Sequence, residues 1–401
     1  MSSHSAAVAD RRRVAAARAS SMRRHPTGRS GARVQALGPP PTTYYVIALV
    51  VSIFVMLGLV MVLSASSIQD FHRGLSPWHL FSRQLIWALM GACSLVICAR
   101  IPYRSWRRVV TPLLGVSMAL MVAPFLPGIG AEVNGAKSWI AVGSITFQPS
   151  ELLKLALLLY TADLLTKREN EMHDLRRSLV PVLLVALVGA GMCAVQGDLG
   201  SAIVVGAIVF AVAFVGGAPF TPMLGAGLVA TAGALFFVVT SPRRIHRFTS
   251  FLDIVGNRKY LSYQQYQAWI AIAQGGTTGA GPGRGLTKLG DFLPLAQSDF
   301  IFAVIAEELG LVGVVAVLGG FVVLAYCGVQ VALAAPERFG MLLAGGITTW
   351  LVVQALINVG GVAGVMPVTG LTLPFFSAGG SSLCICMTAA GMLLNVARNA
   401  K

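Results

Sequence analysis

The sequence predicts an all-α polytopic membrane protein: about ten transmembrane helices, with a long extracytoplasmic loop between the seventh and the eighth. Three observations predict it. Hydrophobic residues make up 56% of the 401 and charged residues only 11%, and mean hydropathy is +0.75. A soluble chain carries roughly 25% charged residues, so this one cannot dress a water-facing surface. Apolar runs recur at the length of a span, about 20 residues. The 44 glycines and 19 prolines fit too, because both are commoner in membrane helices than in soluble ones. Disorder, collagen and a soluble coiled coil fail on the same numbers.

The first element, residues 1–42, is set apart by charge. Eight arginines (Arg11, Arg12, Arg13, Arg18, Arg23, Arg24, Arg29, Arg33) stand against one acid, Asp10, and the stretch ends in Pro39-Pro40-Pro41. With few large apolar residues it cannot offset its ordering entropy, which predicts a disordered basic cytoplasmic tail resting on anionic lipid or a partner protein. A transit peptide is the rival reading. Residues 43–401 make the membrane domain. Hydropathy places its spans near 44–64, 82–99, 108–126, 149–166, 178–195, 199–217, 222–240, 300–326, 341–357 and 383–397. An even number puts both termini on one side. On that side fall 19 of the 30 Lys and Arg, among them Arg100, Arg104, Arg107 and Arg108. The positive-inside rule therefore expects the tail and Lys401 in the cytoplasm.

The outer loop, 241–298, keeps seven cations: Arg243, Arg244, Arg247, Arg258, Lys259, Arg284 and Lys288. An anion to hold and spare solvated charge both account for them. Within the loop, Tyr263, Gln267, Ile270 and Gln274 recur at helical spacing, which predicts a short helix whose glutamines face a sugar or solvent. The run Gly279-Ala280-Gly281-Pro282-Gly283-Arg284-Gly285 allows backbone N–H groups to approach a phosphate, or makes a flexible turn. It is no Walker loop, lacking Gly-Lys-Ser/Thr and a preceding strand.

Ionisable residues inside apolar runs are costly and mark function by default. Glu151, Asp163, Asp198, Asp299, Glu307 and Glu308 lie in or at the ends of such runs. Glu151 and Lys154, three apart on one helix, make a natural pair, structural or functional. Asp299 opens the eighth span at its outer lip, where partial burial suits a general base. The alternative is helix-start chemistry, with Ser298 as N-cap and Asp299 favouring the positive dipole end. The six cysteines and six histidines show no metal-ligand spacing, so a preformed zinc or iron site is not expected.

Residues 292–310, FLPLAQSDFIFAVIAEELG, resemble the signature of the shape, elongation, division and sporulation glycosyltransferases, the FtsW/RodA/SpoVE family. Four further stretches agree in order and spacing. They are Ser64-Ala65-Ser66-Ser67, Gly135-Ala136-Lys137-Ser138-Trp139-Ile140 with the following 147–154, Gln196-Gly197-Asp198-Leu199-Gly200, and residues 358–382, NVGGVAGVMPVTGLTLPFFSAGGSS. Together they cover about residues 44 to 397. The chain departs from the family pattern beside the carboxylate, where Pro-Glu-Ala-His is replaced by Pro294-Leu295-Ala296-Gln297. Lys137-Ser138 also replaces a common Arg, and Gly197 a Pro.

The resemblance implies peptidoglycan polymerisation from lipid II, with undecaprenyl pyrophosphate leaving and Asp299 as catalytic base. Inversion at the donor carbon needs one base and stabilisation of the leaving pyrophosphate, and no acid on the leaving oxygen. Expected substrate-binding residues are Lys137, Glu151, Lys154, Arg243, Arg244, Gln267, Arg284, Lys288, Gln297, Ser377, Gly379, Gly380 and Ser381. A divalent cation, Mg or Mn, is an expected cofactor and its ligands are unassigned; no organic cofactor is expected. Expected partners are lipid II, the nascent glycan strand, a class B penicillin-binding protein, other divisome membrane proteins and membrane lipid, without nucleic acid. The Tyr44-Tyr45 start and the basic arm resemble division members, which implies a bacterial inner-membrane enzyme at the septum with an extracytoplasmic active site. A lateral-wall elongation role and a lipid-precursor flippase or transporter are the alternatives, and a non-catalytic scaffold is a third class.

Overall fold

The computed structural model describes residues 39–133, 136–143, 145–172, 174–240, 245, 248–249, 251–259, 262–286 and 292–400. Most of the tail therefore lies outside the described residues, and residues 40–401 form one compact unit. All ten predicted segments are helical. They are α1 (Thr42–His72), α2 (His79–Arg100), α3 (Val110–Leu120), α4 (Pro149–Lys167), α5 (Leu179–Val195), α6 (Leu199–Val215), α7 (Phe220–Val239), α9 (Ile301–Leu333), α10 (Arg338–Ala363) and α11 (Gly380–Asn399). Between α7 and α9 lies α8 (Tyr263–Gly275). Among the described residues six helices, α1, α2, α7, α9, α10 and α11, are long and apolar enough to cross a membrane. Helices α3, α5 and α6 are apolar but shorter.

These helices are apolar on every face, which suits a lipid solvent and leaves burial to be set by position in the bundle. Helices α10 and α11 form the centre: 72% and 78% of their apolar windows are buried, against 6% for α7. Helix α10 packs on α9, α6, α4 and α11, and α11 packs closely on α2. Small residues permit that last contact. A Cβ on Gly391 would stand 2.4 Å from the Leu95 carbonyl oxygen, and one on Gly91 2.6 Å from the Met387 sulfur. In α7 Met223 is the buried residue, so its remaining surface is left for lipid.

One end of the bundle is held by ion pairs. Arg107 and Lys167 both reach Asp163, at 2.7 and 2.6 Å. Arg104 pairs with Glu337, and Arg338 with Glu169. Burial, together with the Glu337 carboxylate, pushes the Tyr103 phenol above its ordinary pKa. The other end carries an antiparallel sheet in the order β1 (Gly130–Val133), β2 (Ala136–Val142), β3 (Ile145–Phe147), followed directly by α4.

Helix α9 is broken. Gly310 has φ 63° and ψ −160°, so the first part, from Ile301 to the break, is a separate short helix. A break inside a bundle exposes backbone groups that must find partners. The stretch after α8 supplies them. Ala280 and Gly281 donate to the Glu307 and Glu308 carbonyls, while Leu311 and Val312 donate to the Gly276 and Thr277 carbonyls. The side chains join in: Glu308 accepts from the Ser64 hydroxyl and the Gly283 N–H, and Glu307 from the Leu286 N–H.

Candidate active site

Asp299 sits on a tight turn ahead of α9. Leu295 is left-handed, with φ 59°, and its carbonyl accepts from the Ser298 and Phe300 N–H groups. The helix starts at Ile301 after Phe300, with no side-chain cap. The Ser298 hydroxyl turns back to the Leu295 carbonyl instead. Ser298 is thus not the N-cap, and Asp299 lies two positions before the first helical residue, still at the positive end of α9.

The turn opens onto a cavity of about 500 Å³. Three carboxylates line it, Glu151, Asp198 and Asp299, with the amides of Gln148, Gln265 and Gln297 among its other walls. None of the described lining residues is Arg, Lys or His. The carboxylates differ in what they hold. Asp198 is a structural acceptor: Oδ1 caps α6 at the Ser201 N–H, and Oδ2 takes the Gln148 amide and the Ser150 hydroxyl. Glu151 binds Lys154 through Oε1 at 2.8 Å, while its buried Oε2 has no hydrogen-bond partner. The Asp299 carboxylate lies beside Gly370, where a Cβ would come within 3.8 Å of Oδ2. The buried Gln297 Oε1 also has no partner. Such acceptor oxygens suit a ligand rich in hydroxyl and amide donors.

The other expected contacts divide. Lys154 is fully buried, bound to Glu151 and to Gln354 Oε1 at 2.9 Å and set over the Trp350 ring. Its ammonium is occupied inside the bundle and does not line the cavity. Lys137 on β2 and Arg284 after α8 are exposed and outside the lining. Gln267 is half-buried and outside it too: α8 turns Gln265, Ala268, Ala271 and Gly275 inward, a different stripe from the expected one. Gln264 and Gln265 are the glutamines of α8 that reach the cavity. Arg243, Arg244 and Lys288 lie outside the described residues.

In the last motif, Ser377 bonds main chain, Ser381 accepts from the Gln148 N–H, and Gly379 and Gly380 make room for Thr372 and Trp87. In the glycine-rich loop the Ala280 and Gly281 N–H groups go to the break in α9 and that of Gly283 to the Glu308 carboxylate, so these three are not presented to a phosphate. Two amides escaped the sequence reading. Gln354 accepts from Lys154 and Trp350 and donates to the Thr372 carbonyl. Asn358 donates to the Asp299 and Leu371 carbonyls. A polar side chain inside the apolar run 341–357 was a visible signal for Gln354, and Asn358 opens the motif 358–382, but neither signal shows what the amide binds.

The chain is similar to known proteins over most of its length. Residues 44–401 match the family described as cell cycle proteins, FtsW/RodA/SpoVE. The chain is 37% identical over 363 residues to a probable peptidoglycan glycosyltransferase FtsW of Mycobacterium tuberculosis, covering 90% of the chain and 69% of that protein. It is 35% identical over 352 residues to stage V sporulation protein E of Bacillus subtilis, covering 88% and 96%. Among solved structures, one on the coordination of polymerization and crosslinking by a peptidoglycan synthase complex aligns with TM-score 0.72 and 33% identity, covering 88% of this chain and 97% of that one. The rod shape determining protein RodA of Thermus thermophilus aligns with TM-score 0.63 and 31% identity, covering 88% and 96%.

Proposed function

The chain belongs to the FtsW/RodA/SpoVE family of cell cycle proteins, and on that premise we propose that it polymerises lipid II at the division septum. It is a peptidoglycan glycosyltransferase and a multi-pass membrane protein. The observation that carries the finer reading is the place of Asp299, on a fixed turn and on the wall of an acceptor-rich cavity. In the proposed step the acceptor 4-hydroxyl gives its proton to the Asp299 carboxylate as its oxygen forms the new bond to the donor anomeric carbon. The bond from that carbon to pyrophosphate breaks, and its electron pair leaves with undecaprenyl pyrophosphate. One displacement inverts the centre from α to β. Gln297 and Glu151 Oε2 would accept from sugar hydroxyl or amide groups.

Because none of the described lining residues is a cation, the pyrophosphate would rest at the mouth. Lys137, Arg258, Lys259 and Arg284 are exposed, and Arg243, Arg244 and Lys288 belong to the outer loop in sequence; these are the candidate cations. Among the described residues no group of three His, Cys, Asp or Glu side chains could hold a metal. We infer that the expected Mg or Mn would arrive on the pyrophosphate. A class B penicillin-binding protein is the proposed partner, since the family resemblance implies one and the neighbour structure is a synthase complex joining polymerization to crosslinking.

Transport is the weaker reading. Discontinuous helices build substrate sites in transporters, but here the open backbone groups at Gly310 bind the chain's own loop.

Asp299→Asn tests the base. It keeps the shape and removes the proton acceptor. We expect a folded protein that binds lipid II and polymerises it about 10²–10⁴-fold more slowly, the usual worth of a positioned base. Wild-type polymer from purified Asp299→Asn would sink the assignment. A fluorescent fusion spread along the lateral wall instead of at the septum would move the protein to the elongation branch.

A further inference from the structure

We propose that Asn358 and Ser377 are positioning residues, which aim Asp299 by gripping the main chain of its turn; the role rests on the reading of Asp299 as base. Three successive carbonyls of the turn each accept a hydrogen bond from the 358–378 stretch. The Gln297 carbonyl takes the Ala378 N–H at 2.8 Å. The Ser298 carbonyl takes the Ser377 hydroxyl at 2.6 Å. The Asp299 carbonyl takes the Asn358 amide at 2.8 Å. Both side chains are buried and neither lines the cavity.

Each also ties the turn to a second strand of chain. The Asn358 amide donates again to the Leu371 carbonyl at 2.7 Å, and the Ser377 hydroxyl accepts from the Leu373 N–H at 2.8 Å. The same stretch contains Gly370, with φ 77°, which lies beside the carboxylate: a Cβ there would be 3.8 Å from Oδ2. One segment therefore both holds the turn and lies beside its side chain. The turn needs holding. Leu295 sits in the left-handed region that favours glycine, a conformation that persists only where the surroundings over-determine it. A carboxylate on an ungripped turn would swing by an ångström or so, and misplacement of that size costs roughly 100-fold in rate.

The test uses full-length Asn358→Ala, Ser377→Ala and Ser377→Thr in detergent beside Asp299→Asn, with thermal unfolding, lipid II binding and polymerisation at saturating lipid II measured on each. We expect the two Ala variants to fold and to bind lipid II as wild type does, while polymerising about 10–100-fold more slowly. Ser377→Thr, which retains the hydroxyl, should recover most of the rate; a Thr variant as slow as the Ala variant removes Ser377 from the role. Wild-type polymerisation by Asn358→Ala, or a loss that merely follows weaker binding, overturns the proposal. So does failure of both Ala variants to fold, which would make the grip a folding element. An active Asp299→Asn is a separate failure, that of the base itself.

Discussion

Lys154 is the most fully enclosed cation among the described residues, and its ammonium is held there by three partners. Glu151 supplies the opposite charge, Gln354 an acceptor and Trp350 a ring face. Removing one member of a buried pair strands the other, at a cost of about 3–5 kcal/mol. Lys154→Met should therefore lower the unfolding temperature sharply, and Glu151→Gln in the same chain should recover part of the loss. An unfolding temperature equal to wild type in Lys154→Met would show that Glu151 is stabilised by something else. At this scale the spacing of Glu151 and Lys154 made the pair legible, but nothing in spacing told that the ammonium is sealed from the cavity. Asn358 was harder still. Its partners are main-chain carbonyls 59 and 13 positions away, and an amide that bonds backbone leaves no pattern of side chains to read.

Among elements, α9 shows most clearly how the loop and the reacting end are joined. Its first part begins just after Asp299 and ends at Gly310, where the stretch after α8 closes over the break. The backbone at Gly310 lies in a region open essentially to glycine alone, and a Cβ would stand 2.3 Å from the Gly279 nitrogen. Gly310→Ala should cost about 3 kcal/mol from conformation alone, before the collision with Gly279. Chemical denaturation in detergent checks the magnitude. Limited proteolysis checks the mechanism, since cleavage should rise first at 276–286. Cleavage unchanged there in a destabilised variant would uncouple the loop from the break. Hydropathy found α9 as one span because a glycine with open-space φ and a glycine at an ordinary helical position read alike in sequence. The helix α8 was legible from its period, yet the inward stripe differs from the expected one. Gln265 is inward because its amide donates to the Gly361 carbonyl at 2.8 Å, a tertiary bond that overrides an apolar tally.

Across the whole molecule the two ends of the bundle are chemically opposite. The cavity end lines its depth with carboxylates and amides. The other end gathers Arg104, Arg107, Lys167 and Arg338 into ion pairs with Glu337, Asp163 and Glu169. Counting Lys and Arg expects the second end in the cytoplasm, an orientation open to test, because cationic short loops are retained on the cytoplasmic side. Asn170 and Arg284 are both exposed, one in the turn after α4 and the other after α8. In a background with Cys93 replaced, Arg284→Cys should react with a membrane-impermeant maleimide in intact spheroplasts. Asn170→Cys should react only once the membrane is opened. The opposite pattern would put the cavity on the cytoplasmic face, where an extracytoplasmic polymerase could not meet its growing strand. Labelling of both positions from outside would mean that the number of crossings between them is even rather than odd, and the count of ten would fall with it. Agreement would place Asp299, the acceptor-lined cavity and the loop that closes the break in α9 together on the side where glycan is built.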